Sequence, residues 1–191
     1  QGVLQDAQGF IWVATEDGLY RYDGYDFKHF KHDPTNLNSL SDNYVQRLYI
    51  DKKQRLWVST RNGLNLFNRQ KINFKRYSHQ PEQANSLSHN LVIQVTEDSQ
   101  GILWIATFGG GINRFDPETE QFTHFGHDEN VPDSLNDDRV YSILLDHHGV
   151  LWAGTRNGGI NRFDRKTGSF KHYRHHADQP GSLSHNRVYV L

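Results

Sequence analysis

Twelve histidines give this chain its densest supply of chemistry-bearing side chains. Three pairs stand at H-x-x-H spacing: His29 and His32, His124 and His127, and His172 and His175. On a helix, that spacing would put both imidazoles on one face, where they could hold a transition metal. On a strand, residues three apart point to opposite faces and cannot chelate together. The surroundings decide between the two. FKHFKHDP (27–34), FTHFGHDE (122–129) and FKHYRHHADQP (170–180) alternate apolar and polar residues as strands do. The expectation is therefore a solvated outer-strand surface and no metal site. His147-His148 falls in a turn and carries no stronger claim.

Other reactive residue types are placed no better for catalysis. Gly109-Gly110-Gly111 could be read as a phosphate cradle, but no helix follows it, and neither do the Lys and Ser/Thr of a P-loop. The serines sit in S-L-S blocks rather than in a nucleophile elbow. Acidic residues are dispersed, with no pair spaced as a general acid and base. Cysteine is absent, which excludes disulfides, thiol nucleophiles and Cys-based zinc sites. No cofactor and no catalytic residue are expected in this chain.

The elements that position these residues come from a repeat. Tryptophans fall at 12, 57, 104 and 152 inside four similar segments: DAQGFIWVATEDGLYRYD, DKKQRLWVSTRNGLNLFN, DSQGILWIATFGGGINRFD and DHHGVLWAGTRNGGINRFD. A second block recurs in register as SLSDNYV (39–45), SLSHNLV (86–92), SLNDDRV (134–140) and SLSHNRV (182–188). A repeat period between 20 and 50 residues marks a solenoid, propeller or array. Each copy reads as four short strands; in the second they are 45–51, 55–60, 63–68 and 74–79. Between the second and third strands stand Asp17-Gly18, Asn62-Gly63, Gly109-Gly110 and Asn157-Gly158. These are the dipeptides of type I′ hairpins. Leu56 and Val58 point one way and Trp57 the other, so the strand is apolar on both faces and lies between layers. Four-stranded antiparallel blades of a β-propeller meet these demands better than a linear β-solenoid.

The blades are expected at 1–38, 39–85, 86–133 and 134–181, with 182–191 as the first strand of a next one. Four blades plus an overhanging strand point to part of a larger ring of about seven or eight blades. Pairing of two copies into one ring stays open, so a homodimer is an expected partner state, as are the remaining blades of the same protein. Formal net charge is −1, which supplies no global field for nucleic acid. No run of residues is long and apolar enough to insert in a bilayer.

The units D-x-x-G-x-L-W-x-G/A-T-x-x-G-G-I-N-R-F-D, followed by S-L-S-x-N-x-V, resemble the two-component regulator propeller repeat. Asp98, Gly101, Leu103, Trp104, Ala106, Thr107, Gly110, Gly111, Ile112, Asn113, Arg114, Phe115 and Asp116 match it position by position. The second copy departs, with Gln54 and Leu64 at expected glycines. The resemblance implies a sensory input domain outside the bacterial inner membrane, on its periplasmic face. Such a domain feeds a cytoplasmic histidine kinase or diguanylate cyclase and takes a small ligand, often a saccharide. A propeller enzyme of lyase or glycosidase type and a protein-interaction scaffold are the alternatives.

Residues shared by every copy serve blade packing; Arg114 is expected to pair with an acidic neighbour. Variation between copies is the better pointer to binding, because loops on a rigid scaffold carry function. The turn after the second strand opens with Glu16-Asp17, Arg61-Asn62, Phe108-Gly109 and Arg156-Asn157. Arg61, Asn62, Phe108, Arg156 and Asn157 are therefore the expected ligand-binding residues. Phe108 would stack on a sugar ring, and the arginines would hold a carboxylate in bidentate fashion. The plainer reading is that these are exposed turn tips.

Overall fold

A computed structural model of the chain describes residues 2–191. Every regular element among them is a β-strand, and no helix is long and apolar enough to cross a membrane. The chain divides into two compact units, Gln1–Val95 and Thr96–Leu191.

The first unit holds two four-stranded antiparallel meanders. One runs β1 (Val3–Gln5), β2 (Ile11–Thr15), β3 (Gly18–Tyr22), β4 (Phe27–Phe30); the other β5 (Val45–Ile50), β6 (Leu56–Thr60), β7 (Gly63–Asn68), β8 (Asn73–Tyr77). The division between the units falls inside β9 (Val92–Glu97), which opens the third sheet with β10 (Leu103–Thr107), β11 (Ile112–Asp116) and β12 (Gln121–Phe125). The fourth sheet, in the second unit, is β13 (Val140–Leu145), β14 (Leu151–Thr155), β15 (Ile160–Asp164) and β16 (Ser169–Tyr173). The fold is all-β, built of propeller blades. Residues 187–191 do not form the strand expected there: Val188 N–H reaches Thr155 O at 3.0 Å, but no ladder extends from that bond.

Aromatic residues build the same packing in each unit. Phe67 and Phe74 of the second sheet pack on Trp12 and Phe30 of the first, with Trp12 and Phe67 ring centroids 4.9 Å apart in edge geometry. In the other unit, Phe163 and Phe170 meet Trp104 and Phe125, and Trp104 lies 5.3 Å from Phe163. Edge-on contacts of this kind add to the large area each ring buries. Trp12, Trp57 and Trp104 are buried as expected, but Trp152 is only half-buried. No Phe pair of a following sheet lies over it among the described residues.

Each tryptophan is also fastened by a polar bond. The indole N–H of Trp12, Trp57, Trp104 and Trp152 donates to the carboxylate six residues earlier: Asp6 (2.8 Å), Asp51 (2.9 Å), Asp98 (3.2 Å) and Asp146 (2.9 Å). The other carboxylate oxygen gathers the first hairpin turn, as Asp98 does with the N–H groups of Gln100 and Ile102. An arginine from the neighbouring sheet completes two of these sites, Arg69 on Asp6 at 2.8 Å and Arg165 on Asp98 at 2.9 Å. Arg114 is not one of them; its charge acts on Asp116 of its own strand, in line with the expected acidic neighbour, beside the Glu118 backbone bond that chiefly holds that carboxyl below its usual range. The arginines that reach the acids follow the N-R-F-D position, and the residue of that position in the fourth sheet, Arg162, lies over the Trp152 ring instead.

The hairpin turns correct a second expectation. Type I′ needs positive φ at both central residues, but Asp17, Asn62 and Asn157 do not have it. The left-handed residue is the glycine that closes each turn: Gly18 (φ 116°), Gly63 (117°), Gly111 (69°) and Gly159 (76°). A side chain there would collide with the last carbonyl of the outermost strand, that of Phe30, Tyr77, Phe125 or Tyr173 respectively. The same glycine donates its N–H to the loop that leads to the next sheet, as Gly63 does to Asn90 O at 2.7 Å. Turn and loop are thereby locked together.

Histidine secures the same loop. The ring Nδ1 of His32, His79, His127 and His175 bonds the carbonyl oxygen of Leu40, Leu87, Leu135 and Leu183, at 2.6–2.8 Å. Their backbone N–H groups donate to the side-chain oxygens of Asn43, Asn90, Asp138 and Asn186. A carbonyl only accepts, so Nδ1 carries the proton. These histidines are loop fasteners, not merely solvated surface. Their partners in the H-x-x-H pairs turn elsewhere: His29 Nε2 bonds Asp17 O at 2.6 Å and His172 Nε2 bonds Ser134 O at 2.7 Å.

Three outcomes follow. Trp57→Ala should cost about 3–5 kcal/mol, because truncating a fully buried indole leaves a cavity; urea unfolding measures it, and a cost near zero would contradict the packing. Gly111→Ala should destabilise clearly more than Gly149→Ala. Both glycines have φ near 70°, but a Cβ at Gly149 meets nothing within 4 Å. Acid should weaken both units. Burial resists ionisation of Asp6 and Asp98, yet the hydrogen bonds from Trp12 and Arg69, and from Trp104 with its turn backbone, outweigh it and hold both below the usual carboxylate range. A lowered folded pKa gives stability that is fully present above the unfolded value of about 3.9 and is lost as pH falls through the folded one. Unfolding midpoints should therefore hold from pH 7 to 5 and drop below about pH 4, with a shallower acid limb in Asp98→Asn.

Candidate functional site

The fasteners above leave the first turn residues outside the packing, and the two units use them differently. In the first unit, Arg61 lays its guanidinium on the Tyr44 ring, 3.6 Å from the centroid, and its N–H donates to Tyr44 O at 3.3 Å. The Tyr44 hydroxyl donates in turn to Glu16 Oε1 at 3.1 Å. Asn62 is tied to the scaffold, its Nδ2 donating to Ser41 O at 3.4 Å and its N–H to Thr60 Oγ1 at 3.2 Å.

In the second unit, Phe108, Arg156 and Asn157 come together. Phe108 is half-buried, with Arg156 5.9 Å above its ring centroid. Phe108 bridges to Arg139 on the loop leading into β13, and Arg156 N–H donates to Arg139 O at 2.9 Å. Arg139 grips the buried carboxylate of Asp137 at 2.8 Å. Burial pushes the Asp137 carboxyl up, but the Arg139 bonds outweigh that and hold it below the usual range. Asp137 also accepts the Asn157 N–H at 2.8 Å. In the orientation that satisfies its neighbours, the Asn157 amide accepts from Arg139 at 3.0 Å and donates to Arg156 O at 2.9 Å. An open depression of about 440 Å³ lies beside this group, bordered by Gly109, Asn136, Arg139 and Asn157.

Sequence reasoning missed the tyrosines. Phe108 lies 5.3 Å from Tyr141, and Tyr141 lies 4.9 Å from Tyr189, so three rings form a continuous row. It also missed Tyr44, Asp137 and Arg139. The signal was present at the end of the second block and one place beyond it, which hold Tyr44 and Gln46, Leu91 and Ile93, Arg139 and Tyr141, and Arg187 and Tyr189. Those places vary between copies as the turn tips do.

One scaffold rule is broken beside this group. Asn65 Nδ2 donates to Ser41 Oγ at 2.9 Å, but the corresponding Asn161 has Asn136 in place of that serine. Its buried Nδ2 has no hydrogen-bond partner among the described residues. A buried donor in that state costs about 1–3 kcal/mol. Among the described residues, no cluster of three His, Asp or Glu is arranged to hold a metal ion.

Comparison with known proteins finds the same repeat elsewhere. The model of the family described as two component regulator propeller matches residues 39–62, 86–109 and 134–157, each stretch running from the Ser-Leu block to the turn tip. The extracellular domain assigned to a hybrid two component system of B. thetaiotaomicron is 31% identical over 91% of this chain, with a TM-score of 0.80. Histidine kinase P4 of Formosa agariphila is 37% identical over 72 residues, 36% of this chain. The chain spans 24% of the first relative and 5% of the second. Virginiamycin B lyase from Staphylococcus aureus is similar at 15% identity and a TM-score of 0.65, a likeness of fold alone. Three stretches of the chain thus match the two component regulator propeller repeat, in the same register from copy to copy.

Proposed function

We propose that this chain is the extracytoplasmic input region of a two-component signalling protein, set on the periplasmic side of a bacterial inner membrane. It binds a saccharide reversibly and passes the change to a cytoplasmic output domain, a histidine kinase or diguanylate cyclase. One observation carries this reading. The turn tips and inner loops of the second unit place Phe108, Tyr141, Arg156 and Asn157 together, at positions where the copies differ, on a scaffold whose packing residues repeat. Likeness to the extracellular domain of a hybrid two component system supports the setting. Aromatic faces with a few fixed polar groups suit sugar rings, which present apolar C–H faces and hydroxyl edges.

The test is thermal-shift and calorimetric screening against oligosaccharides, followed by analysis for products. The expected outcome is saturable stabilisation with no product. Product formation would replace the reading with a propeller enzyme, and capture of a protein with no saccharide bound would replace it with a scaffold. Phe108→Ala should weaken binding by about tenfold, the loss of one stacked ring, at a stability cost near 1 kcal/mol for a half-buried side chain.

A further inference from the structure

We infer that the second unit's site takes an anionic saccharide, one carrying a carboxylate on the sugar unit at the Arg156 end. This rests on the saccharide reading above and adds the charge class. Arg55, Arg69, Arg139 and Arg165 are each engaged by a carboxylate, those of Asp51, Asp6, Asp137 and Asp98. Arg156 is not. Its backbone is bonded, its guanidinium faces the Phe108 ring, and among the described residues that guanidinium has no acid and no acceptor. It is half-buried, so part of its hydration is already lost. A cation in that state gains most from an anion that arrives with its own planar acceptors, and a guanidinium fork matches a carboxylate in two parallel bonds.

The first unit supplies an internal comparison. Glu16 and Arg61 occupy the turn positions that Phe108 and Arg156 occupy in the second. There a carboxylate shares the tyrosine with the arginine: Glu16 accepts from the hydroxyl of Tyr44, and Arg61 lies on the same ring. In the second unit an aromatic ring stands where Glu16 stood. The arginine is kept, the acid is withdrawn, and a stacking face replaces it. Tyr141 and Tyr189 extend that face away from Arg156, and Tyr189 is 58% exposed, open to a further sugar unit. The nearest buried acid, Asp137, is neutralised by Arg139 and does not oppose a bound anion.

The experiment titrates the chain with uronate oligosaccharides, namely oligogalacturonates and glucuronate-containing disaccharides, each beside its carboxyl-reduced neutral counterpart. The expected result is binding to at least one acidic sugar that falls by about tenfold or more on carboxyl reduction and equally in Arg156→Ala, the loss of one charge-assisted bond pair. Lys166→Ala, which removes an exposed charge outside the aromatic row, should leave affinity unchanged, and unfolding midpoints should show both variants folded. Neutral sugars binding as well as acidic ones, or uronate affinity unaltered in Arg156→Ala, would overturn the charge class and leave the saccharide reading standing. Binding of no sugar in either form would overturn both.

Discussion

Each blade depends on a carboxylate that holds its tryptophan and its first turn, and in two blades that carboxylate does a third thing as well. Asp98 accepts the Trp104 indole, closes the turn before β10 through two backbone N–H groups, and receives Arg165 from the neighbouring sheet. Desolvating a carboxylate is costly unless its lone pairs are filled, and here they are. The consequence reaches past the blade itself. With the indole held by its N–H, its ring is presented at a fixed angle to the Phe pair of the next sheet, and sheet-to-sheet packing repeats without being redesigned. Asp51 shows how the demand is met another way: its arginine is Arg55, from its own turn.

That scaffold frees the turn tips from structural duty. Packing is done by Trp and Phe, the turn is closed by a left-handed glycine, and the inter-sheet loop is held by histidine and Asn or Asp. None of these needs the first two residues of the turn. The place held by Glu16, Arg61, Phe108 and Arg156 takes three residue types, while the glycine that closes each turn is kept. The orphaned Asn161 amide lies beside the cluster of the second unit, where the surface departs from the repeat.

Two rows of contact differ between the units. In the first, Tyr44 links the two turns, its ring under Arg61 and its hydroxyl on Glu16. In the second, the row Arg156, Phe108, Tyr141, Tyr189 ends in an exposed ring and begins at an unmatched cation. A ligand that completes the row would join the turn tips of two sheets to the β13 loop through contacts already bonded to Asp137 and Arg139. Binding energy would then be felt at the inter-sheet loop, which the glycine and histidine bonds couple to the outermost strand.

The spacing of the tryptophans determined the repeat, and alternation determined strands, because both rest on local periodicity and burial. The meanders of the second copy lie within a residue or two of their expected bounds. Turn tips were legible as the variable places, since variation within one chain is visible without any fold. What the sequence did not disclose was every contact between segments distant in the chain. The histidines read as solvated surface until Leu40, Leu87, Leu135 and Leu183 came within hydrogen-bonding distance from eight residues on. Asp17-Gly18 read as a type I′ turn because the dipeptide permits it; the carbonyl of Phe30, arriving from the outer strand, decided that only the glycine turns left-handed. Arg69 found Asp6 across more than sixty residues, a pairing no local rule foresees. Tyr141 and Tyr189 stand 48 places apart and meet where the chain's last segment bonds Thr155 at the end of β14, so the row that distinguishes this site was settled by tertiary structure alone.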